Sequence, residues 1–218
     1  MDRMENNLAF HGPLNDGRLA RAQAEDYAKR ASDMVIACAL IIFTLPLMML
    51  VALAIKWDSD GTIFYRQTRV GLRGRHFDLL KFRSMVEDAE PDGRPVWAAD
   101  RDPRITRVGR FIRKVRIDEL PQLINVLRGE MSMVGPRPER PYFVDELSQL
   151  IPRFAERHTV KPGITGWAQI NYPYGASVED ARNKLTYDLQ YTENHSFLKD
   201  LRILISTVRV VMFQKGAR

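Results

Sequence analysis

Asp118 and Glu119 are adjacent carboxylates in a stretch otherwise crowded with cations: Arg113, Lys114 and Arg116 precede them, and Arg128, Arg137 and Arg140 follow. A carboxylate can attack an electrophile or hold a divalent metal ion. Guanidinium groups neutralise phosphate oxygens, often through paired hydrogen bonds. A diphosphate needs both, because its own oxygens repel an attacking anion until cations screen them. Phosphoryl transfer is the sharp reading of this cluster. The plain reading is a solvated charged face in which Asp118 caps a helix.

The surrounding pattern says what must hold these groups. Ile105 to Val115 reads as an amphipathic helix, with Ile105, Val108, Phe111, Ile112 and Val115 on one side, Arg107, Arg110, Arg113 and Lys114 on the other, and Thr106 as its N-cap. Asp118 suits the N-cap of the next helix, "ELPQLINVLRG", with Pro121 in the first turn, where its missing donor costs nothing, and Gly129 as the stop. Helix N-terminal position and nearby arginines would keep Asp118 ionised. "EMSMVGPRPERP" then forces an extended path, and Arg137, between Pro136 and Pro138, is held at low entropic cost.

Further out, Thr62 to Arg66 and Phe77 to Phe82 read as a hairpin. Val86 to Asp100, with Pro91, Gly93 and Pro95, is a loop in which Trp97 serves as interface anchor, site cover or simple packing. Val160 to Gly175 is an ordered loop, and Phe197 to Phe213 an amphipathic helix for a membrane surface or for the domain.

Met34 to Ile55 is 22 residues without a charge. As a straight helix it would be about 33 Å long, enough to cross a bilayer. Pro46, near its middle, removes the donor to the Ile42 carbonyl and favours a kink, and Thr44 could satisfy a freed carbonyl. Basic residues flank both ends (Lys29 and Arg30; Lys56, Arg66 and Arg69). If both flanks stay on the cytoplasmic side the helix must bend and return. The re-entrant reading is favoured over a span.

The net charge is +6, from 33 basic and 27 acidic residues, which suits phosphate, nucleic acid or an acidic membrane face. The single cysteine, Cys38, lies in the apolar run as a small hydrophobe, excluding a disulfide framework and a cysteine zinc site. The four histidines, His11, His76, His158 and His195, lack metal spacing, and no phosphate-loop lysine motif, GxGxxG or Ser-His-Asp signal occurs. The residues alone leave three classes: phosphoryl transfer at a membrane, a membrane-tethered nucleic-acid binder, and a membrane scaffold. Sparse aromatics near the arginines weigh against nucleic acid.

"KFRSM", "DELPQLINVLRGEMSMVGPRP", "KPGITGWAQINYPYG" and "YDLQYTENHSFLKDLRIL", taken together, resemble the bacterial sugar transferase family, the monotopic polyprenyl-phosphate hexose-1-phosphate transferases. The likeness runs from about Lys29 to the C-terminus and is to the short, stand-alone catalytic form. It implies transfer of a sugar-1-phosphate from a UDP-sugar to undecaprenyl phosphate with release of UMP, opening exopolysaccharide, capsule or O-antigen assembly at the cytoplasmic face of the inner membrane. It implies Asp118 as the nucleophile through a covalent phosphosugar intermediate, and Glu119 with Asp118 as holders of Mg²⁺. Arg113, Arg137 and Lys81 follow as phosphate ligands. Lys29, Arg30 and Asp33 match the family's charged pattern at the membrane. Leu45 stands where members often have Ser before the proline. Tyr172 to Phe197 resembles members handling glucose or galactose, which favours a UDP-hexose. A glycosyltransferase releasing UDP and a non-catalytic scaffold are the alternatives. The partners expected are the donor, the lipid acceptor and membrane lipids, with room for a homodimer.

The fold expected is mainly α with a small β-hairpin, a re-entrant, non-spanning membrane helix and amphipathic interfacial helices. Its divisions are a leader over 1–28, the membrane hairpin over 29–56 and a cytoplasmic catalytic domain over 57–218.

Overall fold

Leader and apolar segment form one helix, α1 (Asp16–Asp58), in a computed structural model that describes residues 16–87, 89, 102–173, 175 and 177–212. Trp97, His11 and most of the loop from Val86 to Asp100 lie outside those residues. From Gln23 to Asp58, α1 is long and apolar enough to cross a membrane. Pro46 lies within the helix without ending it. Thr44 Oγ1 donates to the Leu40 carbonyl at 2.7 Å, its own i−4 partner, rather than to the Ile42 carbonyl that Pro46 leaves without its usual donor.

The two halves of α1 are fastened differently. On the N-terminal side, Lys29 ion-pairs with Asp200 and Arg30 donates to the carbonyls of Val126 and Leu127 at 2.5 and 2.8 Å. Asp33 Oδ1 accepts from the Met133 amide at 3.1 Å. Toward the C-terminus, Met48, Val51 and Ile55 pack with Phe82 and Ile112. Between and around these contacts Ile42, Phe43 and Leu50 stand outward, Phe43 at 83% exposure. Cys38 is also exposed, not packed.

β1 (Phe64–Val70) and β2 (His76–Phe82) form the expected antiparallel hairpin, in register from Phe64 opposite Phe82 to Val70 opposite His76. The first strand runs further than its sequence indicates, because Arg69 and Val70 pair with Phe77 and His76 across a short 3₁₀ turn. α2 (Arg107–Lys114) is capped by Thr106, whose hydroxyl accepts from the Gly109 amide at 2.9 Å. Ile112 is buried, but Phe111 is 62% exposed. It lies at the edge of the apolar stripe, about 100° of helix rotation before Ile112, and turns outward.

α3 (Gln122–Arg128) ends at Gly129, in the left-handed region at φ 82°. Two short strands then pair where the sequence predicts extended chain and loop. β3 (Ser132–Val134) and β4 (Gly163–Thr165) run parallel, Ser132 opposite Gly163 and Val134 opposite Thr165. Glycine makes this approach available: a Cβ on Gly163 would lie 2.0 Å from the Gly135 amide nitrogen. α4 (Pro141–Leu150), α5 (Trp167–Asn171), α6 (Val178–Glu193) and α7 (Phe197–Met212) complete the described fold.

The main core gathers Ala37 of α1, Leu79 of β2, Leu123 and Val126 of α3, Met133 of β3, Tyr191 and Ile203. A second cluster joins Val70, Phe143, Leu147, Phe154 and Leu185 beneath α4 and α6. α7 is apolar on two sides: Ile203 is buried, while Phe197, Leu201, Ile205 and Val208 are exposed. A packed stripe and an exposed apolar stripe thus lie on different sides of one helix.

Candidate functional site

Asp118 and Glu119 end up in a 3₁₀ turn, Ile117–Glu119, between α2 and α3. Arg116 before it takes left-handed angles (φ 60°, ψ 16°), uncommon for a residue with a Cβ. The reversal delivers both carboxylates inward, where they are 7% and 9% exposed. The cap position of α3 is occupied by Pro121, so Asp118 is not the helix cap that its type suggested.

The two carboxylates have opposite surroundings. Glu119 collects the cations. Arg137 binds it through both terminal nitrogens at 2.5 and 3.4 Å, with Arg116 at 3.7 Å and Lys81 at 3.8 Å. Arg137 and Lys81, with Arg116 adding to them, overcome the cost of burial and hold the Glu119 carboxyl far below the usual range. Asp118 Oδ1 is buried without a hydrogen-bond partner. Burial and then the neighbouring Glu119 push the Asp118 carboxyl up to about 6, against the pull of Lys81, Arg113 and Arg137. The cations act on Asp118 in the direction its sequence context implies, favouring the charged form, but the helix terminus is elsewhere and burial with Glu119 outweighs them. Burial also brings the Lys81 amine down to about 8, with Glu119 opposing.

The strut carrying Arg137 is held at every peptide. The carbonyls of Pro136, Arg137, Pro138 and Glu139 accept in turn from the Gly163 amide, Arg157 Nη2, Arg69 Nη1 and the Val70 amide, each at 2.9 Å. Arg157 is fixed by a buried ion pair with Asp188 at 2.7 Å. On the other side, fully buried Asn125 accepts from the Leu80 amide at 3.0 Å and donates to the Asp78 carbonyl at 2.8 Å. Those peptides lie just before Lys81 on β2, so α3 fixes the strand that presents the amine. Arg69, Asn125, Arg157 and Asp188 were not singled out as site residues from sequence.

Asp118, Glu119, Lys81, Arg113 and Arg137 all line one cleft of about 1660 Å³. Arg140 lines it as well, whereas Lys114 and Arg128 do not. Among the described residues no group of three or more His, Cys, Asp or Glu side chains could hold a metal ion. Asp118 Oδ1, which lacks a partner, and Glu119 Oε2, held by the long 3.4 Å bond from Arg137, fit Mg²⁺, which commonly takes one or two carboxylates and fills its shell with water and substrate phosphate.

Residues 24–214 match the model of a family described as bacterial sugar transferase. The chain is 44% identical over 202 residues to an Aeromonas hydrophila protein named UDP-N-acetylgalactosamine-undecaprenyl-phosphate N-acetylgalactosaminephosphotransferase, covering 93% of this chain and 48% of that one. It is 46% identical over 188 residues to the UDP-glucose:undecaprenyl-phosphate glucose-1-phosphate transferase of Caulobacter vibrioides, covering 85% and 70%. It is 43% identical over 191 residues to the similarly named Escherichia coli protein, covering 87% and 41%. The chain therefore spans about half the length of the Aeromonas relative and less of the Escherichia one.

Proposed function

The chain belongs to the bacterial sugar transferase family, and from that premise we propose that it moves a sugar-1-phosphate from a UDP-hexose to undecaprenyl phosphate and releases UMP. The relatives' names supply the two substrate classes, and they divide between N-acetylgalactosamine and glucose as the sugar.

The observation that carries the mechanism is the asymmetry of the carboxylate pair: Glu119 is paired with Arg137, Arg116 and Lys81, while Asp118 Oδ1 is buried without a partner. Asp118 is the nucleophile. Its carboxylate oxygen bonds to the sugar-bearing phosphorus as the bond from that phosphorus to the bridging oxygen breaks, and UMP leaves with the electron pair. An oxygen of the lipid phosphate then attacks the same phosphorus and displaces Asp118, giving the lipid diphosphate sugar. Arg113, Arg137 and Lys81 line the cleft and screen phosphate charge. Asp118 and Glu119 would hold Mg²⁺, which when bound supplies charge neutralisation on the diphosphate.

At the membrane, α1 enters one leaflet and returns to the cytoplasmic face. Fastenings to the same domain at Lys29, Arg30 and Asp33 before Pro46, and at Val51, Ile55 and Asp58 after it, support this course. A helix crossing the bilayer would put those two sets of contacts on opposite sides.

The test is turnover of purified protein with a panel of UDP-sugars, undecaprenyl phosphate and Mg²⁺, with the nucleotide identified. UMP, formed only when the right donor is present, supports the reading. UDP as the product points to transfer of the sugar alone, and no nucleotide release with any donor leaves a scaffold role.

A further inference from the structure

We propose that the lane between α1 and α7 seats the isoprenoid chain of the lipid-phosphate acceptor, and so selects acceptors by chain length. This rests on the function proposed above. The cleft that holds Asp118 does not end at the charged groups. It continues to Leu40, Thr44 and Leu47 on α1 and to Leu204, Thr207 and Val208 on α7.

The lane's chemistry is that of an alkyl chain. Its two hydroxyls are already engaged: Thr44 donates to the Leu40 carbonyl at 2.7 Å, and Thr207 bonds with the Ile203 carbonyl at 2.8 Å and the Thr165 hydroxyl at 2.7 Å. Among the described residues of the lane, what remains is methyl and methylene surface. A nucleotide sugar has no group that gains by lying there, since its hydroxyls and base would lose water without partners.

Position agrees with chemistry. The two walls are the helices whose outer faces carry unpartnered apolar side chains, Ile42 and Phe43 on α1 and Leu201 and Ile205 on α7. The lane therefore opens on lipid, while its inner end reaches Lys81, Arg113 and Arg137. An occupant with an apolar tail and an anionic head matches both ends, and its phosphate would arrive beside Asp118.

The experiment compares Leu47→Trp and Val208→Trp, which fill the lane at side chains 40% and 59% exposed, with Ile42→Trp, a lipid-facing change outside it. Each is assayed with undecaprenyl phosphate and with farnesyl phosphate. The lane variants should raise KM for the long acceptor about tenfold, a loss equal to burying only a few methylenes less. KM for farnesyl phosphate and for the UDP-sugar should stay near wild type, as should all constants of Ile42→Trp. Unchanged chain-length preference in both lane variants overturns the proposal. So does an equal shift in Ile42→Trp, which would mean bulk lipid covers this surface.

A second measurement does not depend on turnover. A polyprenyl phosphate bearing a benzophenone on its chain should label peptides containing residues 40–47 and 204–208; labelling confined elsewhere refutes the lane. A wild-type protein inactive with every donor, yet labelled at these peptides, would sink the proposed reaction and not the lane.

Discussion

Arg157 Nη2 donates a 2.9 Å hydrogen bond to the main-chain carbonyl of Arg137, while the same guanidinium pairs with buried Asp188 at 2.7 Å. One arginine thus sets the place of another without touching its side chain. Removing Arg157 alone leaves Asp188 buried and unpaired, which costs about 3–5 kcal/mol, whereas replacing both members by apolar residues is often neutral.

Arg157→Ala should accordingly lower both the melting temperature and kcat/KM for the UDP-sugar. Arg157→Met combined with Asp188→Leu should restore the melting temperature but not the kinetics. Recovery of both together would make the pair purely structural.

Asp118→Asn should abolish turnover and raise the melting temperature by a few degrees. An ionised carboxylate with one buried, unpartnered oxygen weighs against folding, and a neutral amide removes most of that cost. Thermal unfolding beside a UMP assay checks both halves. Residual turnover near wild type would dismiss Asp118 as nucleophile.

Gly163→Ala should destabilise strongly and impair turnover. Its new Cβ would fall 2.0 Å from the Gly135 amide nitrogen, a backbone atom that cannot yield without parting β3 from β4. Gly74→Ala, where a Cβ meets nothing within 4 Å and only the positive φ objects, should cost about 1 kcal/mol. Melting curves of the two variants give the comparison.

Acid should destabilise the protein partly through His158. Burial, with Arg157 adding to it, pushes this imidazole down to about 4 from an ordinary 6.5. Between those values the unfolded chain binds a proton that the folded chain refuses, so stability is whole above about 6.5 and falls as pH drops toward 4. His158→Gln should flatten that part of the melting temperature profile. An identical slope in the variant would assign the acid sensitivity to other groups.

The helices of the site could be read directly because their signals are local. Thr106 ahead of an amphipathic run and Gly129 after one are caps that a few neighbouring residues determine. The carboxylate pair and its arginines stood out for the same reason. The opposed states of Asp118 and Glu119 could not be read, because they depend on which of the two the left-handed turn at Arg116 aims at Arg137, 18 positions from Glu119. The β3–β4 pairing was hidden by length: three-residue strands offer too little alternation to register, and their partners lie 31 residues apart. Asn125, Arg157 and Asp188 escaped because a buried polar residue differs from an exposed one only through its distant partners.

Arg30 closes the last turn of α3 from another element, and Asp33 holds the Met133 amide of β3. The long apolar helix is in this sense a piece of the domain's scaffolding. Excising the helix to obtain a water-soluble fragment would strip the finishing cap from the very helix that follows Asp118, so solubility gained that way comes with a disordered active centre.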